Sequence, residues 1–272
     1  MTRVITIANQ KGGVGKTTTA VNVAAALALA GKRVLLVDLD PQGNASTALG
    51  IAHESGVADI YDVITGDAPL VDIVQECPDI SGLLGAPATV DLAGAEIELV
   101  AADRREYRLK AAIEEYLSAQ AAAENPLDFV LIDCPPSLGL LTLNGLVAAR
   151  EVLLPIQCEY YALEGLSQLL RTVDMVAEHL NPDLQVSAIV LTMYDGRTRL
   201  ASQVAYEVRT HFGARVLDTV VPRSVRVSEA PSHGLSVISY DPTNSGALAY
   251  REVAEQLDAI GAPTTSMEAT HG

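Results

Sequence analysis

The chain has no tryptophan and only two phenylalanines in 272 residues, and aromatic residues make up 4% of it. With 49% apolar residues, its core must come from Val, Leu, Ile and Ala, which suits a parallel sheet buried on both faces. Cysteine is scarce too: Cys77, Cys134 and Cys158 are odd in number, widely spaced and form no C-x-x-C pair. That pattern argues against a disulfide framework and against structural zinc. Cys134, inside an apolar run, reads as a small buried hydrophobe. His53, His179, His211, His233 and His271 fall in no metal-ligand spacing and read as scattered surface or core residues. No apolar run approaches the roughly 18–20 residues of a membrane span. No basic, apolar leader with a cleavage site precedes the strand that begins at residue 3, so the expectation is a cytoplasmic protein.

Positive charge is in short supply as well, with 18 Lys and Arg against 34 Asp and Glu and a formal charge of −16. As a sum this opposes nucleic-acid binding, which rests on Lys and Arg contacts to phosphate. The distribution is uneven, however. Between Met193 and Arg226, six arginines (Arg197, Arg199, Arg209, Arg215, Arg223, Arg226) meet three acids (Asp195, Glu207, Asp218), a local balance of +3 that leaves −19 on the remainder. The chain therefore carries a modestly basic strip on an acidic body.

Against these absences stands one dense motif, Lys11-Gly12-Gly13-Val14-Gly15-Lys16-Thr17-Thr18. An apolar run, Val4 to Ala8, precedes it, and an Ala-rich run, Ala20 to Ala30, follows and closes at Gly31. Strand, glycine loop and helix start are the setting of a phosphate-binding loop. Its glycines let successive N–H groups and the helix N-terminus wrap a polyphosphate. Lys16 reaches the β- and γ-phosphates in such a loop, and the Thr17 hydroxyl holds Mg²⁺. Two features depart from the ordinary G-x-x-x-x-G-K-[ST] pattern: Gln10 replaces its first glycine, and Lys11 is an additional lysine.

Strands are predicted at 3–8, 33–38, 81–85, 97–101, 128–133, 151–156, 186–192 and 216–221, with a short piece near 236–239. Helices are predicted at 17–30, 45–50, 59–65, 104–122, 138–148, 162–180, 199–212 and 246–260. Strand and helix alternate to the end without a linker, which predicts one α/β domain over 1–261, a mostly parallel twisted sheet flanked by helices on both faces. Residues 262–272 read as a frayed tail. Ligands of open α/β sheets bind beyond the carboxyl ends of the strands. Asp38 and Asp40 end one predicted strand, Asp133 ends another, and the glycine loop follows a third, so the three motifs converge on one sheet edge. Asp38 and Asp40 have a plainer use as well, since aspartate before a turn often caps it.

Several motifs together resemble the ParA/MinD group of deviant Walker A ATPases, and its chromosomal ParA (Soj) branch in particular. They are the Lys-Gly-Gly-x-Gly-Lys-Thr loop, Lys32 to Asn44 (ending Asp38-Leu39-Asp40-Pro41-Gln42-Gly43-Asn44) as second strand and switch I, and Asp128 to Ser137 (ending Asp133-Cys134-Pro135-Pro136-Ser137) as Walker B strand and switch II. Leu191-Thr192-Met193-Tyr194, Val221-Pro222-Arg223-Ser224-Val225-Arg226 and Ser228 to Gly234 match its C-terminal half. The likeness runs from about residue 2 to about residue 260. It implies an Mg²⁺-dependent ATPase in which Lys16 neutralises phosphate charge, Thr17 and Asp133 hold the metal, Asp38 supports the metal shell or the loop, and Asp40 orients the attacking water. It also implies that Lys11 reaches across an ATP-bound homodimer to the partner's nucleotide, an analogue of an arginine finger supplied in trans. Gly12 would then lie where the subunits approach. Adenine is placed near Tyr194 and Pro222, and non-specific double-stranded DNA at Arg197, Arg199, Arg223 and Arg226. A ParB-type centromere-binding protein is the implied partner, and a nucleoid-associated location follows.

Other classes fit the same residues less well. A MinD-type positioning ATPase needs a basic membrane-surface helix, whereas the last predicted helix sets Arg251 among Glu252, Glu255 and Asp258. An iron–sulfur relative needs cluster cysteines that this chain lacks. The Asp-Pro-Gln-Gly-Asn switch and the basic strip argue against a metabolic synthetase. The start of a strand at residue 3 predicts no operator-reading helix-turn-helix before it.

Overall fold

The computed structural model describes residues 1–159 and 162–261, so the tail expected at 262–272 lies outside the described residues. The strands are β1 (Arg3–Ile7), β2 (Val34–Asp38), β3 (Gln75–Glu76), β4 (Leu83–Ala86), β5 (Phe129–Asp133), β6 (Glu151–Gln157), β7 (Gln185–Tyr194) and β8 (Val216–Pro222). The helices are α1 (Lys16–Leu29), α2 (Asn44–Leu49), α3 (Ile60–Thr65), α4 (Leu70–Ile73), α5 (Leu92–Glu98), α6 (Arg108–Ala122), α7 (Leu140–Ala148), α8 (Ala162–His179), α9 (Arg199–Phe212), α10 (Val225–Glu229), α11 (Val237–Tyr240) and α12 (Ser245–Ile260). Among the described residues the strands form one sheet in the order β3-β4-β2-β5-β1-β6-β7-β8. Every pairing is parallel except that of the edge strand β3 with β4.

The aliphatic composition is used as a parallel sheet requires, with alternate residues of each strand feeding two separate cores. Val4, Leu35, Val37, Val130, Ile132, Val152 and Leu154 pack under α3, α5, α6, α7, α8 and α9. Ile5, Ile7, Val34, Leu36, Leu131 and Leu153 pack on the other face, under α1, α2, α11 and α12. At the amino-terminal end of the sheet, Arg3 forms a bidentate pair with Glu151 (2.8 and 2.7 Å) and donates a third bond to Leu257 O at 2.6 Å. Both side chains are buried, which ties β1, β6 and α12 together opposite the site. Where α7 ends, the buried Asn181 amide donates to the carbonyls of Leu146, Val147 and Ala149 at 3.0, 3.2 and 2.6 Å.

Two expected strands are helical. Residues 97–101 complete α5 and a following 3₁₀ turn. Ile97 and Val100 there are 78% and 63% exposed while Leu99 is buried, so this run has one inward side chain, not a strand's alternation. Residues 237–240 form α11, begun by the Ser236 hydroxyl accepting from Ser239 N. β3, two polar residues long, and the short helices α4, α5 and α10 are additional to the predicted elements.

Candidate functional site

β1 feeds residues 8–15 into α1. Gly13 and Gly15 take φ values of 74° and 88°, a region open to glycine at little cost. Gly15 is the N-cap of α1 and supplies no side-chain cap, which leaves the first-turn N–H groups directed at any anion in the loop. The loop is braced from neighbouring strands. Thr192 Oγ1 donates to Val14 O at 2.8 Å, Asn9 Nδ2 donates to Pro155 O at 2.7 Å, and Asn9 Oδ1 accepts from Lys11 N at 3.0 Å. Lys16 is buried and donates to Lys11 O at 3.3 Å; burial pulls its pKa down against the raising influence of Asp133 and Asp40. A Cβ at Gly12 would meet only Pro136, at 3.9 Å, so the isolated chain sets no steric demand for glycine there.

Asp38 and Asp133 are register partners at the ends of β2 and β5, and both are buried. Asp38 spends both oxygens on the loop and helix that follow it: Oδ2 accepts from Ser46 N and Ser46 Oγ, each at 2.8 Å, and Oδ1 accepts from Asp40 N at 3.2 Å. Burial raises its pKa to about 6 despite these donors. These bonds tie the end of β2 to the following loop and to α2. Asp40 Oδ1 accepts from Gln42 N at 3.0 Å, closing the turn at Pro41. Asp133 differs from both, because neither carboxylate oxygen has a hydrogen-bond partner. Burial first, and the Asp38 charge second, push its pKa well up. The Thr17 hydroxyl and the Lys16 ammonium pull the other way, but Thr17 is not placed to complete a well-formed bond.

A fully buried carboxylate with two orphaned oxygens beside a threonine hydroxyl and a phosphate loop is the hard-oxygen donor set of Mg²⁺. Among the described residues no cluster of three His, Cys, Asp or Glu side chains could hold a metal by itself. Cys134 beside Asp133 is buried, and burial raises its thiol pKa, in keeping with a structural side chain.

The ends of β7 and β8 bring Tyr194 opposite Pro222, with Arg223 N donating to Tyr194 O at 3.1 Å. The Tyr194 hydroxyl bonds Ser202 Oγ at 3.1 Å. Met193 sits in the left-handed region at φ 51°, a strained setting for a side-chain residue that concentrates at functional sites. Its Cε lies 3.9 Å from the place a Cβ on Gly15 would take. The basic strip leaves these same strand ends, but carboxylates of this chain already occupy three of the four arginines expected to meet DNA. Arg197 pairs bidentately with Asp195 (2.8 Å each) and its hydrogen bonds hold that carboxyl at about 2. Arg223 faces Glu159 at 3.6 Å. Arg226 meets Glu229 at 3.1 Å and Asp241 at 3.7 Å. Arg199 opens α9 and is exposed. Lys11 is paired too, with Glu159 at 3.3 Å.

Sequence gives Asn9, Ser46 and Glu159 no role, and gives Thr192 and Met193 only a place in the Leu191–Tyr194 motif. Each acts through a partner distant in the chain or through backbone geometry, and local spacing reports neither.

A left-handed glycine cradle at a helix start, a buried lysine within it and an unpartnered carboxylate at the next strand end define a P-loop nucleoside triphosphatase. A family model described as an AAA domain matches residues 2–186. The chain is 53% identical over 261 residues to the sporulation initiation inhibitor protein Soj of Bacillus subtilis (strain 168), covering 96% of this chain and 100% of that one. It is 52% identical over 255 residues to the chromosome partitioning protein ParA of Caulobacter vibrioides, covering 94% and 93%. Among solved structures, a Mycobacterium smegmatis protein described as cobyrinic acid a,c-diamide synthase, bound to an ATP analogue and magnesium, superposes with a TM-score of 0.80 at 40% identity, covering 94% of each chain. The Pyrococcus furiosus cell division ATPase MinD gives 0.77 at 26%, covering 96% and 100%. The chain belongs to the ParA/Soj family of chromosome-partitioning ATPases.

Proposed function

We propose that this chain is an ATP-driven DNA-segregation switch that binds non-specific duplex DNA as an ATP-bound dimer and lets go when a ParB-type partner stimulates hydrolysis. The observation that carries the reading is the meeting of the two-lysine loop, Asp40 and Asp133 at one end of the sheet. Gly12, Gly13, Val14, Gly15, Lys16, Thr17 and Thr18 cradle the phosphates of ATP, with Lys16 neutralising γ-phosphate charge. Tyr194 and Pro222 flank the base. Thr17 and Asp133 hold Mg²⁺, which offsets the charge of the β- and γ-phosphates when bound. Asp38 shapes switch I, and Asp40 orients the water. Lys11 serves the partner's nucleotide, where like-charge crowding with Lys16 is relieved, and Gly12 clears the approach.

Arg197, Arg199, Arg223 and Arg226 take DNA phosphate, a contact that positions without reading sequence. Three of them must exchange an internal carboxylate for phosphate. Exposed ion pairs contribute about 0.2–1 kcal/mol each, so one subunit's strip binds weakly and two strips on one duplex are needed. Such a switch works in the cytoplasm, on the nucleoid. A membrane-positioning role, which needs a basic membrane-surface helix, has less support. The polar side of α12 is acidic, with Glu252 accepting from Thr219 Oγ1 and Asp258 pairing with Lys32.

The test is binding to random-sequence duplex DNA with ATP, with ADP and without nucleotide, across a salt series, with Asp40→Ala to hold the ATP state. The expectation is binding in the ATP state alone, a log–log salt slope of about −0.9 per phosphate engaged, and loss in Arg226→Ala and Lys11→Ala. Absence of DNA binding in every nucleotide state would return the arginines to ordinary surface and sink the reading.

A further inference from the structure

We infer that Glu159 is an intramolecular stand-in for phosphate, holding in cis two cations that nucleotide and DNA must each engage. Its carboxylate stands just past the end of β6, between the glycine loop and the end of β8. Oε2 receives the Lys11 ammonium at 3.3 Å. Oε1 accepts from Gln157 Nε2 at 2.6 Å and lies 3.6 Å from the Arg223 guanidinium. Both cations are fixed at the root, Lys11 through its N–H to Asn9 and Arg223 through its N–H to Tyr194 O. Only their side chains need to move to change partner.

A carboxylate and a phosphate offer these cations the same acceptor chemistry, with more charge on the phosphate. Side-chain exposures of 37%, 45% and 59% for Lys11, Glu159 and Arg223 keep each pair weak and exchangeable. Glu159 is thus a brake and not a lock: it opposes the lysine's departure to a second subunit and the arginine's departure to DNA. The inference rests on the reading above, in which Lys11 serves the partner's nucleotide and Arg223 meets DNA.

Glu159→Gln keeps the shape and removes the charge. With Mg²⁺ and a non-hydrolysable ATP analogue, sedimentation equilibrium should show its dimer roughly two- to thirtyfold tighter than the parent, because two such exposed pairs break per dimer. At protein concentrations where both are fully dimeric, its affinity for random duplex DNA should also rise, and salt should shrink both gains. Glu159→Asp, which keeps the charge on a shorter arm, should fall between. Lys11→Ala separates the two ideas. If it abolishes the dimer while Glu159→Gln dimerises no better than the parent, the brake is wrong and the lysine's role across the dimer stands. If Lys11→Ala dimerises like the parent, the underlying reading fails and takes the brake with it.

Discussion

Asp133→Asn should make the nucleotide-free protein more stable while removing the metal-dependent function. Both Asp133 oxygens are buried and unpartnered, and the Asp38 carboxylate ends the adjacent strand. An unsatisfied buried group costs about 1–3 kcal/mol, and more when charged. The counter-argument is Lys16, whose buried ammonium Asp133 helps to keep charged. The balance decides the sign. Asp40 also acts on this lysine, so the variant still leaves it one carboxylate. The expected gain is about 1–3 kcal/mol, which at about 2–4 °C per kcal/mol for a chain near this size raises Tm by roughly 2–12 °C.

The folded pKa of Asp133 lies above its unfolded value. Its share of stability is therefore present in full below about pH 4 and lost as pH rises through the folded pKa. The advantage of the variant must accordingly widen as pH rises from about 4 through that folded pKa. Thermal unfolding in EDTA at several pH values measures this. Adding Mg²⁺–ATP at a hundred times Kd should then stabilise the parent by about 2.7 kcal/mol and the variant far less. A nucleotide-free variant that melts below the parent at pH 7.5, or a difference that ignores pH, would refute the argument.

Two further predictions concern the frame. Glu151→Gln strands the buried Arg3 guanidinium and should cost about 3–5 kcal/mol in urea unfolding, whereas Arg3→Met with Glu151→Leu should cost much less, since removing a buried pair together leaves no orphaned charge. Asn181→Ala frees three carbonyls at the end of α7 and should cost at least about 1–3 kcal/mol, read as a lower urea midpoint with the slope unchanged.

β1, β2, β5, β6 and β7 were legible because strands buried on both faces are continuous apolar runs, and parallel pairing then placed the glycine loop, Asp38 and Asp133 on one edge. The run at 97–101 misled because its apolar residues look inward only at Leu99. β3 was invisible because Gln75 and Glu76 take part through backbone pairing to β4. In the site, residue type and spacing announced Lys16 and Thr17. They did not show that Asp38 is absorbed by Ser46, or that Asp195, Glu159 and Glu229 sit on the arginines, since charge counted along a chain says nothing of who neutralises whom.

The braced loop has an energetic consequence for work between subunits. Gly13 and Gly15 already hold their left-handed turns, and Thr192 and Asn9 already pin the main chain, so folding has fixed residues 8–15 before any nucleotide arrives. Ordering a floppy segment would absorb about 1–2 kcal/mol of binding free energy per residue. Here that drain is absent, and the affinity of the cradle for polyphosphate is left over as driving force for whatever a second molecule must do to reach it.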